Sequence, residues 1–233
     1  MRCRLGIGYI LQQSFGNALR VRDIGRPVVA MVTQVEVDPR DPGFENPTKP
    51  IGKFYSEEEA ERFAGERGWK MVFDARRGWR RVVPSPRPLT IVEVEVIRAL
   101  VEQGVITICV GGGGIPVVRT ESGELRGVEA VVDKDYASAL LARTIDADLF
   151  IISTQVEKVA LNFGTPQEQP LDRLAASEAE QYLREGHFPP GSMGPKIEAA
   201  VEFVRSKGGR ALITDFPNLS RALGGETGTW IVP

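Results

Sequence analysis

From Ile91 to the C-terminus, segments of helical and extended periodicity alternate along the chain. That alternation leaves few folds open. Ile91 to Gln103 is amphipathic at helical spacing and closes on Gly104, and Val105 to Val110 is a continuous apolar run suited to a strand buried on both faces. A strand over Val128–Val132, a helix over Tyr136–Ile145 and a strand over Leu149–Ser153 continue the series, followed by a helix over Pro195–Lys207, stopped by Gly208-Gly209, and a strand over Ala211–Thr214. Strands separated by helices return to one sheet in parallel, because the crossover needs about a helix of chain. The pattern predicts an α/β fold, a three-layer sandwich with a mainly parallel central sheet.

Upstream, Ile7, Ile10, Leu11, Phe15 and Leu19 recur at helical spacing between Leu5 and Leu19. Pro27 to Val37 begins as an apolar β run and then alternates, as a strand does when it leaves a buried sheet for an exposed ribbon. From Asp38 to Pro88 the composition changes: seven prolines, Trp69 and Trp79, and the cluster Arg76-Arg77-Gly78-Trp79-Arg80-Arg81 exclude the middle of a sheet. Within this stretch Ser56-Glu57-Glu58-Glu59 has the form of a capping box, opening a short helix to about Arg67 that ends at Gly68. The predicted organisation is residues 1–37, a protruding lid-like subdomain over 38–88, and a core over 89–233.

Composition narrows the function. With 29 Lys+Arg against 31 Asp+Glu there is no basic field to gather a phosphate backbone, so nucleic acid is excluded as a partner and any anion site is built locally. Only Cys3 and Cys109 are present, the latter inside an apolar run where a reduced, buried thiol is expected. No stretch approaches the roughly 18 apolar residues of a membrane span, and Met1-Arg2-Cys3-Arg4 leads into no secretory segment. The expectation is a cytoplasmic protein with no membrane partner.

Three motifs can carry chemistry. The tetraglycine Gly111 to Gly114 directly follows a strand, where backbone N–H groups can converge on an anion without Cβ obstruction; a flexible turn is the alternative. Asp133-Lys134-Asp135 puts a lysine between carboxylates where a strand gives way to a helix, either as a solvated ion cluster or as a cation held for a phosphoryl group. Gly191-Ser192-Met193-Gly194-Pro195-Lys196 opens a helix with a lysine in its first turn, where the helix dipole disfavours a cation, so the lysine calls for an anionic partner. The single histidine, His187, has no neighbours in sequence suited to a metal site or triad.

These blocks, together with Ile7-Gly8-Tyr9-Ile10-Leu11-Gln12-Gln13, Asn46-Pro47-Thr48-Lys49-Pro50-Ile51-Gly52, the stretch from Gly78 to Pro86, Leu161-Asn162-Phe163-Gly164 and the stretch from Gly225 to Thr229, occur in an order that resembles the carbamate kinases, a branch of the amino acid kinase family. The resemblance runs from about Gly6 to Pro233. It implies reversible phosphoryl transfer between ATP and carbamate in arginine catabolism, with Mg2+ accompanying ATP or ADP, in a homodimer. It further implies an acceptor-side lobe at the N-terminal end and a nucleotide-binding lobe at the C-terminal end. Lys134 and Lys196 would flank the phosphoryl group, Asp135 would position the lysines, and Lys49 would reach in from the subdomain. Gly111, Gly112 and Gly113 would lie beside carbamate or the transferred group. Thr154, Val156, Asn162, Phe163, Met193 and Gly194 would contact the nucleotide.

The chain departs from that pattern at the front. A Gly-Gly-Asn-Ala-Leu loop after a first strand and a second His-Gly-Asn-Gly-Pro loop, both lining the family's phosphoryl site, are absent, and Gly16-Asn17-Ala18-Leu19 sits in the helix after Gln12-Gln13. The expectation is that the N-terminal segment is lacking, with exposed sheet edge and apolar helix face as the consequence. Gln155 also stands where an acidic or small residue is usual. Two functions follow: a carbamate kinase, or a catalytically impaired, nucleotide-binding remnant of the same family.

Overall fold

The structure is a computed structural model that describes residues 2–74, 77–189 and 191–233. Arg76 of the basic cluster and the side chain of Cys3 lie outside the described residues. The chain folds as two compact units, residues 1–93 with 104–134, and residues 94–103 with 135–233.

The first unit contains α1 (Arg2–Arg20), β1 (Val28–Ala30), β2 (Gln34–Val37), β3 (Lys49–Tyr55), α2 (Glu57–Arg67), β4 (Lys70–Asp74), β5 (Gly78–Val83), β6 (Pro88–Ile91), β7 (Ile106–Ile108), β8 (Ile115–Arg119) and β9 (Leu125–Gly127). Strand β1 pairs in parallel with β7, and β2 lies between antiparallel β6 and parallel β8. Val35 and Val37 of β2 are buried while Gln34 and Glu36 are less so, the period-two signature of a strand with one face in the core. Helix α1 packs on β1 and β7, and Gln12 Oε1 accepts the N–H of Ala30 at 2.9 Å, on the strand's outer edge. Tyr9, Ile10 and Phe15 of α1 are exposed.

The chain between β2 and β6 forms a separate antiparallel sheet, ordered β3-β5-β4, with α2 alongside. The capping box is present: Ser56 Oγ accepts the Glu59 N–H, and a Glu59 carboxylate oxygen accepts the Ser56 N–H. That backbone N–H, supported by Lys53, holds the Glu59 carboxyl below the usual carboxylate range. Gly68 closes the helix in the left-handed conformation. Tyr55, Phe63 and Trp69 form an aromatic cluster with ring centroids 5.0–6.2 Å apart. Arg81 covers Trp69 at 4.4 Å and Arg80 covers Phe54 at 5.0 Å, so arginines of the basic cluster stack on the subdomain's own rings.

Three predicted elements differ in the structure. The run from Pro27 to Val37 is not one strand: it breaks at residues 31–33 into β1 and β2, which pair in separate sheets. Residues 128–132 form no strand; β9 ends at Gly127, and Val128 and Val131 donate singly to the carbonyls of Pro116 and Pro84. Prolines have no N–H to return, so this segment is held by single bonds without becoming part of a ladder. The helix predicted from Ile91 begins at Val94, because Ile91 completes β6 and Val92 donates to the Gln34 carbonyl while Glu93 accepts the Gln34 N–H.

The second unit contains α3 (Val94–Glu102), α4 (Lys134–Thr144, whose first residue closes the first unit), β10 (Leu149–Thr154), β11 (Val159–Leu161), β12 (Gln169–Leu171), β13 (Arg173–Ala175), α5 (Ala176–Arg184), α6 (Gly194–Lys207), β14 (Arg210–Asp215), α7 (Leu219–Leu223) and β15 (Thr229–Val232). Its sheet runs β10-β14-β15-β13, with β10–β14 and β13–β15 parallel and β14–β15 antiparallel. Phe150, Ile213 and Ile231 of the sheet and Ile197, Phe203 and Val204 of α6 share one buried cluster, the Phe150 and Phe203 rings lying 5.5 Å apart. This is an α/β fold of mixed sheets covered by helices. Among the described residues no helix is long and apolar enough to cross a membrane.

Candidate active site

Beyond β7 the chain turns at once. Val110 adopts a left-handed conformation, Gly111–Gly113 form a single 3-10 turn, and the Gly113 and Gly114 N–H groups donate to the carbonyls of Val110 and Gly111. A Cβ on Gly113 would lie 1.9 Å from the carbonyl oxygen of Val132, and one on Gly114 would lie 2.4 Å from a Val35 methyl. These two glycines are therefore demanded by the protein's own packing. Gly111 faces open space instead. With Gly112 it borders an apolar cavity of about 190 Å³ whose walls include Ile7, Leu11, Val32 and Ile108.

Because Gly113 rests on Val132, the glycine turn and the start of Asp133-Lys134-Asp135 are held in contact. Val132, Asp133 and Asp135 are buried. Asp133 pairs with Lys49, the first residue of β3, which links the subdomain sheet to this point of the first unit. Two residues on, within the second unit, Asp135 accepts from Lys196 Nζ at 2.8 Å, with the two side chains only 8% and 11% exposed. The anionic partner that Lys196 calls for is thus supplied from within the chain. Such a buried pair adds little net stability, but removing one member strands a charge.

Lys134 is the first residue of α4 and stands in sequence between these two paired aspartates. Asp133 as the partner of Lys49 is the site residue that motif reading misses, since only its place beside Lys134 signals it. At the start of α6 the N-cap position is Met193, which makes no side-chain capping bond, and the Gly194 and Lys196 N–H groups already donate to the carbonyls of Pro189 and Met193.

The predicted nucleotide residues fall at ends of elements in the second unit. Thr154 ends β10 and Val156 follows in the irregular segment 155–158. Asn162, in a left-handed conformation, and exposed Phe163 follow β11. Met193 and Gly194 open α6, and Met193 packs against the buried cluster. Carboxyl ends of strands and the starts of helices are where α/β sheets take ligands. Elsewhere, His187 pairs with Glu185 at 3.3 Å and meets Tyr182 edge-on, and burial pushes the Cys109 thiol up. Among the described residues no three His, Cys, Asp or Glu side chains gather as a metal site would require.

The fold and the lysine–aspartate pairs define a class. The sequence model of the amino acid kinase family matches residues 52–215, and the chain belongs to that family. Within it the chain is closely related to carbamate kinases. It is 55% identical over 226 residues to the carbamate kinase-like protein YqeA of Escherichia coli, covering 97% of this chain and 72% of that protein. Against the carbamate kinase of Pyrococcus horikoshii it is 51% identical over 227 residues, with the same two shares. The solved structure of carbamate kinase from Giardia lamblia bound to AMP-PNP superposes with a TM-score of 0.88 at 43% identity, covering 98% of this chain and 72% of that one.

Proposed function

We propose that the chain catalyses reversible phosphoryl transfer between ATP and carbamate, giving ADP and carbamoyl phosphate. The observation that carries this reading is the buried Lys196–Asp135 pair at the start of α6, in a chain half identical to carbamate kinases. In the forward step a carbamate oxygen bonds to the γ-phosphorus as the bond from that phosphorus to the leaving ADP oxygen breaks. Carbamate is already anionic, so no general base is required, and catalysis reduces to positioning and charge stabilisation.

Lys134 and Lys196 act as the cations on the transferring oxygens, with Asp135 orienting Lys196. Lys49 comes from β3 and is held by Asp133. Gly111, Gly112 and Gly113 border the acceptor, and Thr154, Val156, Asn162, Phe163, Met193 and Gly194 border the nucleotide. The residues do not fit a protein cage for a divalent ion, because Asp133 and Asp135 are each engaged by a lysine. Magnesium is therefore assigned to the nucleotide's phosphates, the usual habit of an ion that dehydrates reluctantly. A cytoplasmic homodimer completes the reading.

The test is calorimetry with magnesium ADP and a coupled ADP-to-ATP assay with carbamoyl phosphate on one preparation of the 233-residue chain. Binding with turnover is the expected result. Binding without turnover favours the nucleotide-binding remnant, and absence of both refutes the assignment.

A further inference from the structure

The stretch Gly225-Glu226-Thr227-Gly228-Thr229 has no part in the chemistry above, yet its two threonines are buried and so is Thr214 of the neighbouring strand. All three hydroxyls converge on residues 157–159, where the link from β10 enters β11. Thr214 Oγ1 donates to the Glu157 carbonyl at 3.2 Å, and Thr227 Oγ1 donates to the Glu157 carboxylate. Thr229 Oγ1 accepts the Val159 N–H at 2.8 Å while donating to the Leu171 carbonyl. The segment is thereby held through its backbone carbonyl, its side chain and its backbone N–H.

The donors are themselves fixed. Thr214 and Thr229 stand on paired strands β14 and β15, whose register sets Ile213 against Thr229. Gly228 enters β15 at φ 77°, where a Cβ would lie 2.8 Å from Leu212 and 3.1 Å from Ala222, so the turn presenting Thr227 packs directly on the sheet and α7. Arg221 of α7 also approaches the Glu157 carboxylate, at 3.9 Å.

Thr154 and Val156 lie on one side of the held residues, and Asn162 and Phe163 lie just past the short strand that Val159 begins. We infer that the three threonines are positioning residues for the nucleotide: they hold Glu157 and Val159 so that both flanking groups present one surface to ADP. This rests on the proposed nucleotide role of those four residues. An unsatisfied buried hydroxyl or a free segment would cost affinity for ADP, and the carbamoyl phosphate side would not register it.

The experiment compares the parent with Thr227→Val, which keeps shape and removes the donor, Thr227→Ser, which restores it, and Glu157→Ala, which breaks the same bond from its half-exposed end. ADP affinity is read by calorimetry, and KM for ADP and for carbamoyl phosphate by turnover. Thr227→Val and Glu157→Ala should each weaken ADP binding and raise its KM by about five- to tenfold, the scale of one hydrogen bond, with KM for carbamoyl phosphate and kcat within about twofold. Thr227→Ser should return to parental values.

Should Thr227→Val fail to fold, Glu157→Ala and Thr227→Ser carry the comparison. Unchanged ADP affinity in the variants, or an equal loss for both substrates, overturns the inference while the proposed function stands. A parent that binds no ADP overturns both.

Discussion

Gly113→Ala should disable the chain by displacing backbone, without the new methyl touching any substrate. The added Cβ would sit 1.9 Å from the Val132 carbonyl oxygen, whereas real Cβ contacts essentially never fall under 3.0 Å. Either the glycine turn or the Val132-Asp133 backbone must retreat by about 1 Å, a misplacement that typically costs on the order of 10² in rate when it reaches catalytic groups. The backbone at φ 88° adds roughly 1–3 kcal/mol of strain for a residue with a Cβ. For a chain of this size that strain lowers Tm by about 2–12 °C.

Gly111→Ala is the control, since its Cβ would meet nothing within 4 Å and its φ is not positive. It should melt at or slightly above the parent, because alanine narrows the unfolded ensemble by about 0.4–1 kcal/mol. Calorimetric melting and the coupled turnover assay on both variants decide the matter. A Gly113→Ala chain with parental Tm and parental turnover, or a Gly111→Ala chain that melts as low as Gly113→Ala, would refute the packing argument.

Lys134→Ala and Lys196→Ala should each lower turnover by a factor of roughly 10² or more with little change in ADP affinity, measured by the coupled assay and calorimetry. Lys196→Ala should also lower Tm, because it leaves the Asp135 carboxylate buried without that lysine, at a cost of about 3–5 kcal/mol. In the subdomain, the Glu59 carboxyl titrates below its ordinary range because the Ser56 N–H favours the ionised form, so its stabilisation is present at neutral pH and is lost as pH falls through the lowered value. The Tm difference between parent and Glu59→Gln should be largest near pH 7 and vanish in acid, as followed by circular dichroism.

Much of this protein is legible in the sequence wherever the causes are local. The capping box of Ser56 and Glu59 and the terminating Gly68 are readable because a helix end is decided by residues within one turn of it. The helices near 5–19, 136–145 and 195–207, and the strands near 149–153 and 211–214, are readable because burial of one face imposes a period on neighbouring residues. The glycine run, the lysine between two aspartates and the lysine in a helix's first turn likewise mark themselves by conflict with local preference.

The tertiary structure alone decides which groups meet. Lys49 reaches Asp133 across 84 residues, Lys196 reaches Asp135 across 61, and Thr227 reaches Glu157 across 70. No periodicity or cap extends that far. It also decides that Gly113 is glycine because a carbonyl from a distant segment lies against it, and that residues 128–132, apolar enough for a strand, find prolines where ladder partners would stand. The physical reason is one of range: propensity, capping and periodicity act within a few residues, whereas pairing, register and close approach exist only after packing has brought remote segments together.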